Sequence, residues 1–397
     1  MTVKGNWFVI VGYSLVAAAT QLLWLTFAPI TTNAAAYYNT SEGSIGILSI
    51  IFPLIYVVLA IPCGLFLDRF LRPALALGAI LTALGGVIRL FGNADFTTAA
   101  VGQIVVSIGQ PLVLGAVTAI CVSYLPKHQR AAGIATGSAA LFAGMLIAFI
   151  TGALFENDIS MLLIIQATFA VIAAIVLCLG LAREGPFSDD TEHSLLEDPA
   201  EAVKHPLRTV WGDPVIRLLV LIVAVGFGVF ITITTWLQAL LEPAGISVES
   251  ASIMLLLMVV AGIIGSAVFP PMVMKRHSQP SWLMTAIVVS AVGCLILAVI
   301  PGDFTGIIVS IAFGLLLLAT LPIVLEMVEV RTGTAASTAT SLVWLAGNAG
   351  GVILSAIVGV FVGAPLFAFL LTGFVAIVFG VPLVARLRGM LAQEQSQ

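Results

Sequence analysis

Two acidic residues lie close together within a long apolar run, where their carboxylates could bind and release protons. Glu326 and Glu329 are three residues apart, so they would share one face of a helix. Burial away from water raises the pKa of a carboxylate, which lets it exchange protons near neutral pH and couple an ion to another process. The alternative is that both glutamates only rim an aqueous vestibule, close to Arg331.

Uncharged amide and indole side chains within the apolar runs form a second set of candidates. Gln21 and Trp24 are three residues apart, so they would share a helix face, and the same holds for Trp344 and Asn348, which are four apart. Such residues suit a ligand that is cationic, amphiphilic or neutral, held by cation–π contact and few hydrogen bonds. A belt at the membrane interface is the alternative for the tryptophans. We expect substrate contacts from Gln21, Trp24, Gln110, Trp236, Trp344 and Asn348.

Enzyme chemistry has little support in this sequence. An intramembrane enzyme needs a nucleophile with a base, or a metal cluster, at depth. The histidines all fall in predicted aqueous turns, at His128, His193, His205 and His277. The cysteines are isolated, and the sequence has no phosphate-binding loop of the Walker type. We therefore predict no catalytic residue, no metal and no cofactor, and a membrane enzyme or a non-transporting receptor is the alternative from another class.

Composition predicts the elements that position these residues. Of the 397 residues, 60% are hydrophobic and 9% charged, with a mean hydropathy of +1.18, whereas soluble domains are about 45–50% apolar and about 25% charged. The apolar runs are long and continuous, which favours helices over the alternating strands of a barrel. At about 20 residues a span, we predict an all-α polytopic membrane protein with 12 transmembrane helices near 7–35, 44–67, 73–92, 97–124, 130–154, 159–182, 214–241, 249–273, 280–300, 304–328, 334–361 and 364–386.

The basic residues lie on one side of this predicted topology. Fourteen of the fifteen Lys and Arg residues fall on the side of the two termini. The positive-inside rule then predicts that both termini are cytoplasmic and that the chain lies in the cell membrane. Arg89 is the exception, near the outer end of the third span, and we interpret it as a side chain that snorkels to the external headgroups. The net charge of −4 gives no reason to expect a nucleic-acid partner.

A polar, acidic stretch divides the predicted spans into two sets of six. Its composition cannot form a core, so we predict a cytoplasmic linker. The predicted organisation is a six-helix bundle over 1–182, the linker over 183–213, a second six-helix bundle over 214–386 and a cytoplasmic tail over 387–397.

The two predicted bundles are weakly repeated. Ala131-Ala132-x-x-Ala135-Thr136 recurs as Ala335-Ala336-x-x-Ala339-Thr340, an offset of 204 (335 − 131). Lys275-Arg276 occupies the turn equivalent to Arg69, at an offset of 206 (275 − 69). Parallel six-helix repeats joined by a cytoplasmic linker are typical of a transporter with its substrate site between the halves.

One predicted cytoplasmic turn resembles a family signature. Gly64-x-x-x-Asp68-Arg69-x-x-Arg72 is similar to the motif between helices two and three of the major facilitator superfamily, although Leu71 replaces the usual glycine. With twelve spans in two sets of six, the resemblance covers the whole chain. It implies transport by alternating access, with Gly64, Asp68, Arg69 and Arg72 in gating and the Asp-Arg turn latching the cytoplasmic side. The alternative is a solvated turn that only caps the third helix.

A narrower likeness involves spans one, four, ten and eleven. Gln110-Pro111-Leu112-Val113-Leu114-Gly115 and Leu321-Pro322-x-x-Leu325-Glu326-x-x-Glu329 resemble the branch of feline leukaemia virus subgroup C receptor-related transporters, as does Tyr13-Ser14-Leu15-Val16. The resemblance implies choline, ethanolamine or haem as the substrate class. Phe142 replaces a glutamine of that branch and Asn348 replaces another, so the choline-type pocket is not carried over intact. Phe142 joins the expected substrate contacts.

We therefore predict a secondary or facilitative transporter, acting as a monomer in the bilayer on a small organic solute such as an organic cation or amphiphile. A proton or another ion is a candidate coupling partner, through Glu326 and Glu329. A proton-coupled drug or metabolite antiporter is the alternative. Against it, the fifth span lacks the Gly-Pro…Gly-Gly signature of drug antiporters, and Ser107 stands where their fourth span carries an arginine.

Overall fold

The computed structural model describes residues 5–91, 94–187, 210–332 and 336–395, and all regular secondary structure in these ranges is helical. Within them, 12 helical stretches are long and apolar enough to cross a membrane, which confirms the predicted fold class. The chain divides into two compact units, Met1–Pro199 and Ala200–Gln397. The division falls in the predicted linker, most of which lies outside the described residues. The limits of the bundles, linker and tail stay a prediction.

The first unit makes its six spans from α1 (Trp7–Trp24), α2 (Thr31–Tyr37), α3 (Glu42–Arg69), α4 (Leu71–Ile88), α5 (Phe96–Leu114), α6 (Val117–Tyr124), α7 (Lys127–Leu154) and α8 (Ile159–Leu181). The first span is broken, because α1 passes through a 3-10 turn at Ala28–Ile30 before α2. The fourth is broken after Pro111, which lies in the last turn of α5. Each break leaves backbone carbonyls without a helical donor.

The second unit contains α9 (Pro214–Leu241), α10 (Val248–Lys275), α11 (Gln279–Val299), α12 (Asp303–Phe313), α13 (Ala319–Thr332), α14 (Ala336–Gly359), α15 (Pro365–Val375) and α16 (Val381–Gln395). The helix α9 begins at a proline, whose missing N–H costs nothing there, and continues unbroken for 28 residues. A wide π turn at Gly314–Leu318 joins α12 to α13, and another at Ala376–Gly380 joins α15 to α16.

Short polar side chains set where several helices begin. Ser41 accepts a hydrogen bond from the Ser44 N–H at 3.1 Å at the start of α3. Asp158 accepts one from the Met161 N–H at 3.0 Å at the start of α8. These side chains satisfy N–H groups that the first helical turn leaves unpaired. The predicted span ends agree with the helix ends to within a few residues except at the last span, whose helix continues to Gln395 beyond the predicted end at 386.

In each unit the first and fifth spans cross at a glycine that lies directly against a backbone carbonyl. A Cβ added at Gly144 of α7 would collide with the carbonyl of Ala18 in α1, and one added at Gly350 of α14 would collide with the carbonyl of Ala224 in α9. Both residues of the second crossing follow those of the first by 206 positions (350 − 144 and 224 − 18). The two units therefore repeat the same crossing at one of the offsets found in the sequence.

Candidate functional site

The clearest candidate for a ligand contact in the first unit is Gln110, near the end of α5. Only 4% of its surface is exposed, and its Oε1 accepts no hydrogen bond from the described residues. Tyr13 of α1 donates its hydroxyl hydrogen bond to the Val113 carbonyl at 3.2 Å, which holds this part of α5 against α1. A buried carbonyl oxygen without a donor costs about 1–3 kcal/mol. This atom is therefore available to a donor on a ligand.

Gln21 and Trp24 are both buried near the end of α1. The Gln21 amide donates to Thr20 Oγ1 at 3.3 Å. The Trp24 indole donates to the Ser49 carbonyl of α3 at 2.8 Å, and its ring stacks on Phe52 with 5.0 Å between centroids. Trp24 thus packs α1 against α3, and contact of either residue with a substrate stays a prediction.

In the second unit, Trp344 and Asn348 lie one turn apart on α14. The Trp344 ring meets the Phe227 ring of α9 edge to face, with 5.9 Å between centroids and 87° between planes. Trp344 is partly buried, and its indole N–H makes no hydrogen bond with the described residues. The Asn348 amide donates to the Trp344 carbonyl at 2.9 Å, which leaves its Oδ1 without a described donor. An aromatic pair beside an amide oxygen suits a cation.

Two further predicted contacts have different surroundings. Trp236 is 1% exposed, and its indole N–H donates to both the carbonyl and the hydroxyl of Ser355, at 3.0 and 2.9 Å. Its ring lies against Gly359 of α14, so Trp236 anchors α9 on α14. Phe142 is partly buried on α7. For both residues, substrate contact stays a prediction.

Arg72, from the turn that resembles the family signature, caps another helix. Its guanidinium donates to the Leu181 carbonyl at 3.0 and 2.8 Å and to the Ala182 carbonyl at 3.2 Å. It also pairs with Glu184 at 3.1 Å. These carbonyls lie at the C-terminus of α8, where helical donors are missing and the helix dipole is negative. Arg72 therefore ties the turn between α3 and α4 to the end of α8.

The other residues of this turn make fewer contacts. Arg69 is exposed and lies over the Phe70 ring, 5.3 Å from its centroid. Gly64 faces open space, since no atom lies within 4 Å of a Cβ added there. The Asp68 side chain lies outside the described residues. A gating role for the four residues stays a prediction.

The structure describes one of the two candidate coupling side chains. Glu326 is exposed on α13 and makes no hydrogen bond or ion pair with the described residues. The Glu329 side chain lies outside the described residues, and coupling through either residue stays a prediction. In the described part of the chain, no three His, Cys, Asp or Glu side chains lie close enough together to hold a metal ion.

Arg331 joins three helices of the second unit at the end of α13. Its Nε donates to Asp213 Oδ2 at 2.5 Å, and its terminal nitrogens donate to the two Glu394 carboxylate oxygens at 3.0 and 2.6 Å. Asp213 also caps the start of α9, and Glu394 lies in the last turn of α16. The hydrogen bonds to Glu394, and secondly those to Asp213, raise the pKa of Arg331 above its usual range. The guanidinium therefore stays charged at any working pH.

The interpretation of Arg89 as a snorkelling side chain is wrong. Arg89 is 3% exposed and turns inward from the end of α4. One terminal nitrogen donates to the Leu23 carbonyl at 3.0 Å and also to Gln103 Oε1, and the other donates to Thr26 Oγ1 at 3.1 Å. Because α1 ends at Trp24, the Leu23 carbonyl lacks a helical donor. Arg89 supplies that donor and caps the broken helix from inside the bundle.

A chain of neutral side chains continues from Arg89. Thr26 donates to Gln166 Oε1 at 2.6 Å, and Gln166 donates to Thr151 Oγ1 at 3.3 Å. Within the described residues, no carboxylate pairs with Arg89, and Arg89 Nε and Gln103 Nε2 have no partner. The sequence does contain a signal for this network, because the apolar spans carry glutamines at positions 103 and 166 as well as one arginine.

Known proteins resemble this chain over most of its length. The family model described as Major Facilitator Superfamily matches residues 9–355. Solute carrier family 49 member A3 of Danio rerio is 26% identical over 366 residues, which cover 87% of this chain and 76% of that protein. Solute carrier family 49 is the receptor-related branch whose motifs this sequence resembles.

Solved structures show the same fold. A bacterial homologue of the human lysosomal transporter Spinster, in an inward-facing and occupied conformation, has a TM-score of 0.72 at 15% identity, over 99% of this chain and 98% of that chain. A mutant of the nucleoside transporter NupG has a TM-score of 0.73 at 14% identity, over 96% of this chain and 99% of that chain. At such low identity the likeness concerns the fold alone.

Proposed function

Because the chain belongs to the major facilitator superfamily, whose members are membrane transporters and not enzymes, we propose that it moves an organic cation or amphiphile, such as a choline-like amine or haem, by alternating access. The observation that carries this substrate class is the buried Oε1 of Gln110, which has no donor among the described residues. The Danio rerio relative is named as a solute carrier, which supports transport and names no solute.

Gln110 supplies the polar part of the proposed recognition. A hydroxyl or ammonium hydrogen of the ligand would satisfy Oε1 and recover about 1–3 kcal/mol of desolvation cost. The amide is neutral, so it can hold a cation without the larger cost of burying a carboxylate. A small metal ion prefers carboxylate oxygens, whereas a bulky organic cation needs only one neutral acceptor and apolar walls.

Trp344 and Phe227 form a separate aromatic candidate contact within the second unit. Their edge-to-face arrangement leaves Trp344 partly exposed, and tryptophan is the best side chain for cation–π contact, worth about 0.5–2 kcal/mol. Asn348 Oδ1, one turn along α14, is a second acceptor without a described donor. Within the second unit, an alkylammonium ligand with a hydroxyl group matches the aromatic face of Trp344 and the amide oxygen of Asn348.

A thermal-shift assay on purified protein, followed by uptake into liposomes, tests the substrate class. We expect at least one of choline, ethanolamine, haem and lipophilic cations to raise the melting temperature and to be transported. Gln110→Met and Trp344→Ala should each weaken binding about tenfold, because each removes one contact of about 1–2 kcal/mol. Trp211→Ala, at an exposed tryptophan outside the spans, is the control. Full binding by both variants would refute the proposed contacts.

Proton-coupled antiport has a separate test. In liposomes with an imposed pH gradient, we expect transport that does not follow the gradient, and a Glu326→Gln protein that transports like the parent. The reason is that the Glu326 side chain is exposed and makes no hydrogen bond or ion pair with the described residues that a change of its charge would break. Uptake that follows the gradient and stops in Glu326→Gln would establish antiport instead.

We also propose that both termini are cytoplasmic and that the Asp68-Arg69 turn biases the conformational equilibrium. The basic residues on the side of the termini and the cap from Arg72 to α8 support this. Single cysteines in the turns on either face, in a background without the four native cysteines, report both properties through their accessibility to a membrane-impermeant reagent. Asp68→Asn should change that accessibility, and an unchanged pattern would remove the latch role.

A further inference from the structure

An open pocket lies where α9 begins and α16 ends, and two of its lining residues are arginines. Its volume is about 480 Å³, within the usual range of about 300–1,000 Å³ for ligand sites. Arg217 lines it from α9 and Arg386 lines it from α16. Neither guanidinium makes a hydrogen bond or an ion pair with the described residues. The pocket therefore has two cations that are available to an anion.

Helix geometry gives the pocket two continuous walls. The residues from α9 are at positions 214, 217, 218 and 221, and those from α16 are at 386, 389, 390 and 393. Both sets follow the i, i+3, i+4, i+7 spacing of one helix face. Leu218, Leu221 and Met390 make these walls largely apolar around the arginines, and Leu221 is 45% exposed.

The acids that adjoin the lining residues in the sequence are paired with another arginine. Asp213 immediately precedes α9, and Glu394 directly follows the last lining residue of α16. Both carboxylates are bound by Arg331, at 2.5 and 2.6 Å. Arg331 balances one of the two carboxylate charges, so these three groups carry a net charge of −1, and the two arginines of the pocket exceed it by one positive charge.

We propose that this pocket binds the phosphate headgroup of an anionic phospholipid. Guanidinium groups suit phosphate because their planar donors can bind two oxygens at once, and basic pockets between membrane helices recognise such headgroups. The apolar walls and the exposed Leu221 favour a lipid over free phosphate, because an acyl chain can lie against them in the bilayer. This site is independent of the transported solute.

Lipid titration of the purified full-length protein tests the proposal. Phosphatidylglycerol should raise the melting temperature and appear as bound lipid by native mass spectrometry, whereas phosphatidylcholine should not. The double variant Arg217→Gln/Arg386→Gln should bind phosphatidylglycerol roughly 30-fold more weakly, because each arginine strengthens association with anionic lipid about fivefold. Arg388→Gln is the matched control, since Arg388 is exposed on the same helix and does not line the pocket.

Gly389 allows the pocket to be filled without disturbing the protein. A Cβ added at Gly389 has no heavy atom within 4 Å, so Gly389→Leu should fold normally, occupy the groove and abolish phosphatidylglycerol binding. The proposal is overturned if phosphatidylcholine binds equally well, if the double variant or Gly389→Leu binds phosphatidylglycerol like the parent, or if inorganic phosphate at millimolar concentration reproduces the whole stabilisation.

Discussion

Thr26 and Thr232 occupy equivalent places in the two units, 206 positions apart (232 − 26), and both are buried. Among the described residues, Thr232 donates only to the Gly228 carbonyl of its own helix, at 2.8 Å. Thr26 donates to Gln166 and accepts from Arg89, which joins three spans. The same side chain is therefore a local feature in one unit and the centre of a network in the other.

The reason for this difference lies in the backbone. In the first unit α1 breaks after Trp24, which frees the Leu23 carbonyl that Arg89 satisfies. In the second unit α9 continues through Thr232, so no carbonyl is freed there. Consistent with this, the positions 206 beyond Arg89, Gln103 and Gln166 are Leu295, Val309 and Thr372. A break in one span accounts for the buried charge in that unit.

Arginines at the helix ends show the same contrast. In the first unit Arg72 caps α8, Arg89 caps α1, and Arg130 caps α6 through the Leu125 and Val122 carbonyls at 3.1 and 3.2 Å. In the second unit Arg331 binds two carboxylates. These three arginines of the first unit thus bind backbone carbonyls, whereas Arg331 of the second unit joins two carboxylate side chains.

The largest expected effect tests what the units share. Gly144→Ala and Gly350→Ala should each destabilise the protein by about 3 kcal/mol, the upper end of overpacking costs, because the added methyl group meets backbone that cannot rotate away. Thermal unfolding in detergent measures this. Gly226→Ala on α9 is the control, since its nearest new contact is at 3.9 Å, and it should be neutral or gain up to about 1 kcal/mol of helix propensity. A large effect in only one unit would show that the crossings are not equivalent.

The next effect tests the buried charge. Gln103→Val removes an acceptor from Arg89 and should cost about 2–3 kcal/mol, because the guanidinium stays buried with fewer partners. Arg89→Leu/Gln103→Val recreates the Leu295 and Val309 pair of the second unit and should recover at least about 1 kcal/mol of that loss. Melting curves of the two variants give the comparison directly. A double variant that is less stable than Gln103→Val would mean that Arg89 stabilises the unit by more than its link to Gln103.

The spans and their order were predictable because composition, span length and short charged turns act locally. That Trp344 and Asn348 share one face of a helix was predictable for the same reason, since it depends only on a spacing of four residues. The break after Trp24 was not, because Pro29 lies five residues further on and the 3-10 turn depends on packing. Once that break is missed, the inward direction of Arg89 cannot be derived, because its acceptor is a carbonyl that a continuous helix would have satisfied.

Tryptophan roles were harder to predict for a related reason. Trp24, Trp236 and Trp344 all lie deep in apolar runs, and nothing in their local sequence separates them. The separation comes from distant donors and acceptors, since Ser49 and Ser355 satisfy the first two indoles while Trp344 has no such partner among the described residues. A spacing rule identifies which residues share a helix face. Whether an indole N–H finds a hydrogen-bond acceptor depends on another helix that is distant in the sequence.

A smaller effect separates the two threonines. Thr26→Val should cost about 2 kcal/mol, because it removes an acceptor of Arg89 and a donor to Gln166. Thr232→Val should cost less than about 1 kcal/mol, because only a hydrogen bond within its own helix is lost and valine keeps the shape. Both values come from the same unfolding assay. Equal losses at the two positions would contradict the view that only the first unit depends on a side-chain network.

The smallest effect distinguishes the two ways of using arginine at helix ends. Arg331→Gln should cost at most about 1 kcal/mol, since the ion pairs are partly exposed, and the loss should shrink between about 0.1 M and 1 M salt, where the Debye length falls from about 10 to about 3 Å. Arg72→Gln should cost a similar amount with little salt dependence, because three of its four hydrogen bonds go to neutral carbonyls and its ion partner Glu184 is exposed. Melting temperatures at the two salt concentrations decide this. If both losses respond equally to salt, the contribution of Arg72 at the end of α8 is mainly ionic. Arg72 and Arg331 would then stabilise their helix ends in the same way, and the contrast between the two units would not extend to these arginines.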